Sequence, residues 1–431
     1  MSDDFTRRKF LRGVTQGVLA SAVLKAGESG AQAAATGPAS NALSQGQLKE
    51  AVKLGPLSAS TEQSSGEPPL PLPPQRRIGI AVVGLGHLSI NQILPAFGSS
   101  KRVKVTGLVS GDAAKARALA AMHGVPERSI YDYQSFDRIG ENPDIDAVYI
   151  VLPNSLHAEY TVRAAQAGKH VLCEKPMATS ARECEQMITA CKVENRKLMI
   201  AYRIQYEPHN RMVQRSVRNG AFGPVKLIEA VNGQNQGDPE QWRQKKALAG
   251  GGSLPDVGLY CLNTTRFLLG EEPTEVSAML YSTPNDPRFR EVEENVIWQM
   301  RFPSGALAHC ATGYGFHESR RYRVYGEKSW IGMDPAFSYT NLQVESSKAE
   351  GPIEERSRLS MQPKDQFALE MDHFGGCVQE DKTPYTPGEE GLQDQTLMEA
   401  IYEAARSGRP VLLNSDASAR LDRFRGPDPQ S

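Results

Sequence analysis

Residues 78–89, Ile78-Gly79-Ile80-Ala81-Val82-Val83-Gly84-Leu85-Gly86-His87-Leu88-Ser89, decide how the chain folds. Ile78 to Val83 is an uninterrupted apolar run with one small residue, the pattern of a strand buried on both faces. Such strands belong to parallel sheets covered by helices. The run passes directly into a glycine turn. Gly84 permits the tight turn, and Gly86 lets backbone amides approach a pyrophosphate at the start of the helix that follows. With Leu85, His87 and Leu88 these glycines form a candidate phosphate loop of a dinucleotide site. A lone G-x-G-x-x-S string is a weak signal; its place between a strand and a helix, at the head of an α/β series, gives it weight.

That series continues. Val103 to Val109, Ala147 to Leu152, His170 to Cys173 and Leu198 to Ala201 read as buried strands, separated by segments with helical period. Past Tyr202 the character changes. Val225 to Val231, Glu275 to Tyr281, Val292 to Phe302, Ala306 to Thr312 and Arg321 to Tyr325 read as longer strands, with turns such as Pro303-Ser304-Gly305 between them. Helical patterns cover Leu254 to Leu269, Gln366 to Gln379 and Gly391 to Ala405. The fold class is therefore α/β: an N-terminal Rossmann parallel sheet over 78–202, then a second α/β domain over 203–431 built on a large, open, mostly antiparallel sheet. Ligands of such folds sit in the cleft between the parts.

The front of the chain is of another kind. Thr6-Arg7-Arg8-Lys9-Phe10-Leu11-Arg12, a mildly apolar run from Val14 to Leu24 and the triplet Ala31-Gln32-Ala33 read as a twin-arginine signal peptide over 1–33. The run is too short to span a bilayer, which takes about 20 apolar residues, so stable membrane insertion is not expected. The expected partner is the twin-arginine export machinery, which carries folded proteins, and the expected location is the periplasm. Residues 34–77 are rich in Ser, Gly, Ala and Pro and end in Pro68-Pro69-Leu70-Pro71-Leu72-Pro73-Pro74, an arm or linker with no core of its own. A formal net charge of -1 carries no basic footprint for nucleic acid. The six cysteines lack metal-ligand spacing and read as small buried residues, so no metal site is expected.

Which dinucleotide binds is decided at the next strand end. Where an NAD enzyme has an acidic residue for the ribose hydroxyls, this chain has Leu108-Val109-Ser110-Gly111, with Lys115 a helical turn later. A hydroxyl, a loop amide and a cation suit a 2′-phosphate, which favours NADP, although Asp112 also stands within reach of a ribose. Chemistry is expected at Cys173-Glu174-Lys175-Pro176, because the carboxyl ends of parallel strands line the crevice. It is also expected at Gly250-Gly251-Gly252-Ser253-Leu254-Pro255-Asp256-Val257-Gly258-Leu259-Tyr260. On a helix opening near Leu254, Asp256 and Tyr260 are i and i+4 and share a face. A phenol beside an ammonium gives up its proton more readily, so Tyr260 with Lys175 is a candidate acid/base pair for alcohol oxidation, and Asp256 completes the candidate catalytic set.

Glu174-Lys175-Pro176 after the fifth strand, the Gly84 turn and the Asp256/Tyr260 helix together resemble the Gfo/Idh/MocA oxidoreductases, and most of all their glucose-fructose oxidoreductase branch. Val148 to Glu159, Ala249 to Leu254 and Tyr402-Glu403-Ala404-Ala405-Arg406 carry the likeness further. The resemblance implies tightly bound, non-dissociating NADP and hydride transfer between sugars. It also implies Tyr260 as acid/base, Lys175 as its electrostatic partner and Asp256 as a sugar-binding group. Cofactor contacts implied in the same way are Ser110, Lys115, Tyr133, Pro153, Asn154, Leu156, His157, Glu174, Lys175, Arg203, Trp242, Arg243 and Tyr339. A homotetramer or dimer, with the arm over a neighbour's cofactor, is implied as well. His87 and Ser89 depart from the lysine and alanine of that branch, which weakens the expected hold on the pyrophosphate. The resulting expectation is a periplasmic sugar oxidoreductase. It passes hydride by ping-pong chemistry from an aldose, giving a lactone, to a second sugar, ketose or aldose, giving a polyol. Two alternatives stand beside it: an exported NAD-dependent glycosidase of the same fold, and a non-catalytic sugar or dinucleotide binder.

Overall fold

The computed structural model describes residues 76–413 and 421–429. The signal peptide and nearly all of the Pro-rich arm lie outside the described residues. The apolar run before the glycine turn is β1 (Ile78–Val83), with Ile80, Ala81, Val82 and Val83 fully buried. Around it stand β2 (Val103–Val109), β3 (Ile130–Tyr131), β4 (Ala147–Ile150), β5 (His170–Glu174) and β6 (Leu198–Ala201). They form a parallel sheet of order β3-β2-β1-β4-β5-β6. The order reverses between β1 and β4, and a crevice opens there beyond the strand ends.

The second sheet comprises β7 (Val225–Asn235), β8 (Glu275–Tyr281), β9 (Asn295–Arg301), β10 (Leu307–Gly313), β11 (Gly315–Gly326), β12 (Ser329–Met333), β13 (Val344–Glu350), β14 (Ile353–Leu359) and β15 (Val411–Leu412). Its order is β14-β13-β12-β11-β7-β10-β9-β8-β15, antiparallel throughout except for the central β7/β10 pair. The Leu259–Leu269 helix lies across this centre, entered by a π-helical turn, Leu254–Gly258. Only a glycine fits at 258, where a Cβ would come within 2.8 Å of Thr312 Cγ2.

The end of the chain returns to the first sheet. The Gln366–Gln379 helix and the Gly388–Ser407 helix pack on the Rossmann half, and Ile200 N donates to Thr386 O at 2.8 Å beside the β6 edge. A boundary at 202/203 thus separates the two sheets but not the two packing units. All six cysteines are buried and unpaired, as small core residues. Among the described residues no helix is long and apolar enough to cross a membrane.

Candidate active-site cleft

A cleft of about 630 Å³ runs between the strand ends of the first sheet and the inner face of the second. At its cofactor end Gly84 has φ +96°, and a Cβ there would meet Val151 O at 2.3 Å. A Cβ on Gly86 would meet nothing within 4 Å, which leaves the backbone open to the cleft. Ser89, fully buried, donates its hydroxyl to Gly84 O at 2.5 Å and fastens the helix to the turn. Ser89, one of the two departures from the resembled pattern, is therefore built into the loop's own support. At the end of β2, Asp112 caps the Ala113–His123 helix by accepting from Lys115 N at 3.0 Å. Ser110 Oγ accepts from Asp112 N at 3.1 Å, so its hydroxyl hydrogen remains free to face the cleft with the Lys115 ammonium. The cradle and this pair fit a dinucleotide with a 2′-phosphate.

At the chemical end, the Lys175 ammonium lies 4.7 Å from the centroid of the Tyr260 ring. It donates to Asp256 O at 2.7 Å and to Asp256 Oδ1 at 3.4 Å. The phenol oxygen is met by Arg203 instead, whose Nε donates to it at 3.2 Å while its guanidinium lies 4.8 Å over the same ring. Arg203 is held by Gln366 Oε1 at 2.6 Å and Phe337 O at 2.6 Å. Lys175 meets the ring face, and Arg203, expected only as a cofactor contact, is the hydrogen-bonding partner of the phenol.

Asp256 Oδ2 accepts from Arg243 Nε at 3.0 Å and from the Tyr314 hydroxyl at 2.7 Å. Burial pushes the Asp256 carboxyl up, but Arg243 and Lys175 outweigh it and hold it well below the usual carboxylate range. Burial opposes the charge on Lys175; Tyr260, Asp256 and Glu174 overcome that and raise its pKa. Glu174 is pushed up chiefly by burial, opposed by Lys175 and by the Tyr149 hydroxyl, which donates to it at 2.8 Å. The loop before Asp256 is fixed by buried Glu293, which accepts from Gly252 N at 2.8 Å and Leu254 N at 2.9 Å. A Cβ at 252 would lie 2.1 Å from Glu293 O, which accounts for the glycine.

The cleft brings together Gly84, Leu85, Gly86, His87, Leu88, Ser110, Lys115, Tyr133, Pro153, Asn154, Glu174, Lys175, Arg203, Trp242, Arg243, Asp256, Tyr260 and Tyr339. Leu156 and His157 stand behind its wall. His157 is fully buried, with ring nitrogens 2.9 Å from Leu152 O and from Pro176 O, so it positions two cleft segments. Sequence reasoning missed Asn232, Gln234, Gln236, Gln241 and Arg320, which line the second-sheet side, and Tyr314 beneath Asp256. The inward side chains of β7 every second residue, 232 and 234, were the one signal available.

Fold and cleft define a dinucleotide-dependent oxidoreductase. Residues 78–202 match the oxidoreductase family's NAD-binding Rossmann fold and residues 214–413 its C-terminal α/β domain, so the chain belongs to the Gfo/Idh/MocA family. Among solved structures, the aldose-aldose oxidoreductase from Caulobacter crescentus, complexed with glycerol, is 45% identical. It aligns over 78% of this chain and 100% of its own, with a TM-score of 0.76. The D-xylose 1-dehydrogenase (NADP+) of Haloarcula marismortui is 32% identical over 347 residues, 78% of this chain and 93% of its own. The 1,5-anhydro-D-fructose reductase of Ensifer adhaerens is 29% identical over 318 residues, 72% of this chain and 92% of its own. The chain is an oxidoreductase of sugar-related substrates with an NAD(P)-binding Rossmann fold.

Proposed function

We propose that this protein is a periplasmic sugar oxidoreductase that keeps NADP bound and works by ping-pong chemistry, oxidising an aldose at C1 to a lactone and reducing a second sugar to a polyol. The observation that carries the chemistry is Tyr260, with the Arg203 guanidinium on its oxygen and the Lys175 ammonium on its ring face. Bound NADP supplies a hydride acceptor in one half-reaction and a donor in the other. Tyr260 takes the proton of the sugar hydroxyl in the first and returns one to the carbonyl oxygen in the second, with its oxygen oriented by Arg203 and its ring by Lys175. The NADP preference rests on Ser110 and Lys115.

The substrate end supports a neutral sugar. Asn232, Gln234, Gln236 and Gln241 offer carboxamides, which both donate to and accept from hydroxyls. The guanidiniums there are held by carboxylates, Arg243 by Asp256 at 3.0 Å and Arg320 by Glu318 at 2.9 Å. Retention of the cofactor follows from export, since a folded protein carried outside the cytoplasm has no dinucleotide pool to draw on. The test is the absorbance of extensively dialysed protein at the reduced-nicotinamide band. A band that rises with glucose and fades with fructose or a second aldose supports the closed cycle; absence of nucleotide after dialysis refutes it.

A further inference from the structure

The described C-terminal segment, 421–429, comes back to the rear of the site. Its Arg425 side chain is 2% exposed. Nη1 donates to Gln205 Oε1 at 2.7 Å and Nη2 to Glu390 Oε1 at 2.9 Å. Gln205 Nε2 donates onward to Asn263 Oδ1 at 2.7 Å. Asn263 Nδ2 donates to Asp394 Oδ2 at 2.8 Å and Glu390 Oε1 at 3.0 Å.

Gln205 ends the short Arg203–Gln205 helical turn, and Asn263 lies one turn after Tyr260 in the Leu259–Leu269 helix. The Gln205–Asn263 bond therefore joins the segment that carries the guanidinium to the helix that carries the phenol. Each carboxamide can point only one way in this chain. Glu390 and Asp394 can only accept, so they take the Asn263 NH₂ and turn its oxygen to Gln205; the Gln205 NH₂ donates to that oxygen and, at 3.3 Å, to Glu390 Oε1, which leaves the Gln205 oxygen for Arg425. Charge reinforces the direction. Glu272, Glu390 and Asp394 gather around Arg266, each 2% exposed or less, and Arg425 is the second cation buried among them. An excess of buried negative charge is costly unless it is paired.

We propose that Arg425 is a positioning residue: it anchors the Gln205 oxygen, holds that carboxamide against Asn263 and thereby fixes the mutual placement of Arg203 and Tyr260. This rests on the reading of Tyr260 as the acid/base. The test uses the full-length, cofactor-loaded enzyme with the fastest aldose among D-glucose, D-xylose and D-galactose. Arg425→Ala lowers kcat about tenfold, because small misplacements of a reacting pair are costly. KM and retained nucleotide stay near wild type. Guanidinium ion at millimolar concentration restores turnover, and methylammonium, with no forked donors, does not. Unchanged kcat, or a loss that guanidinium leaves untouched, overturns the proposal. Should Arg425→Ala fail to fold, the isosteric Gln205→Met carries the test, with the same fall in kcat at constant KM expected and an unchanged kcat overturning it. Tyr260→Phe is measured in parallel. Turnover retained in Tyr260→Phe overturns the acid/base reading and this proposal with it, whereas a dead Tyr260→Phe beside a fully active Arg425→Ala overturns this proposal alone.

Discussion

Tyr260 sits between two cations that reach it from different parts of the chain, Lys175 from the end of β5 and Arg203 from the turn after β6. Tyr260→Phe keeps the ring and its contacts with both cations but removes the proton carrier. Both half-reactions are expected to fall by about a hundredfold or more while nucleotide remains bound, as single-turnover absorbance and nucleotide content will show. Two histidines give a second expectation at this scale. His170 Nδ1 accepts from Lys197 N at 2.9 Å and His373 Nε2 from Tyr385 N at 2.9 Å, so protonation at either nitrogen would break a backbone bond. Burial foremost, and then neighbouring arginines, pulls both pKa values down to about 4. Each lies below the ordinary histidine value, so the unfolded chain takes up the proton first. Stability from these groups is full above pH of about 6.5 and is lost as the pH falls towards 4, on the order of 1 to 3 kcal/mol per residue. Thermal melts across that window should show Tm dropping on acidification, with a shallower slope in His373→Gln. At this scale the sequence exposed the glycines, Lys175, Asp256 and Tyr260, because local strings carry them. It did not show that Arg203 also meets the phenol, because the approach of the guanidinium depends on Gln366 and Phe337, more than a hundred residues away.

At the scale of elements, the segment that decides function is the loop and π turn leading to Tyr260. Glu293, just before β9, accepts two of its backbone N–H groups and the Tyr402 hydroxyl at 3.0 Å. Glu293→Gln keeps the shape but turns an NH₂ towards one of those donors. A loss of about 1 to 3 kcal/mol in urea unfolding is expected, together with a fall in kcat as Asp256 and Tyr260 shift. Full stability with full kcat would show that the loop holds its shape unaided. The strands of the first sheet were legible because they are buried on both faces and read as apolar runs. β13 and β14 were not. Val344–Glu350 and Ile353–Leu359 carry mostly polar and charged residues on an exposed edge of the second sheet, where no apolar period forms, and their pairing is held by the ladder itself. β3, only two residues long, left no pattern to read.

The molecule as a whole is less divisible than its chain order suggests. The sequence pattern changes at Tyr202, and the sheets do separate there, yet the two last long helices fold back onto the first sheet. In the Gly388–Ser407 helix, a Cβ on Gly388 would lie 2.8 Å from side-chain atoms of Ile188 and Leu198, and one on Gly391 would lie 2.7 Å from Met177 Sδ. Helix and sheet touch at backbone distance, and glycines make that possible. Residues 76–202 alone would leave Met177, Ile188, Leu198 and Ile200 facing water, and would lose the Thr386 carbonyl that Ile200 N requires. That is an exposed apolar patch of the size that drives aggregation in an isolated domain. A fragment ending at Tyr202 should therefore be insoluble, or compact without fixed tertiary packing, whereas the full chain should unfold in one cooperative transition by both near-UV and far-UV circular dichroism. Co-expression with residues 203–431 should recover soluble protein if this packing holds the fragment together. A fragment ending at Tyr202 that melts cooperatively on its own would show that the Rossmann half is an independent unit, with the C-terminal helices a mere overlay. The cleft, which takes Glu174 from one side and Phe367 from the other, would then be a hinge instead of a fixed seam.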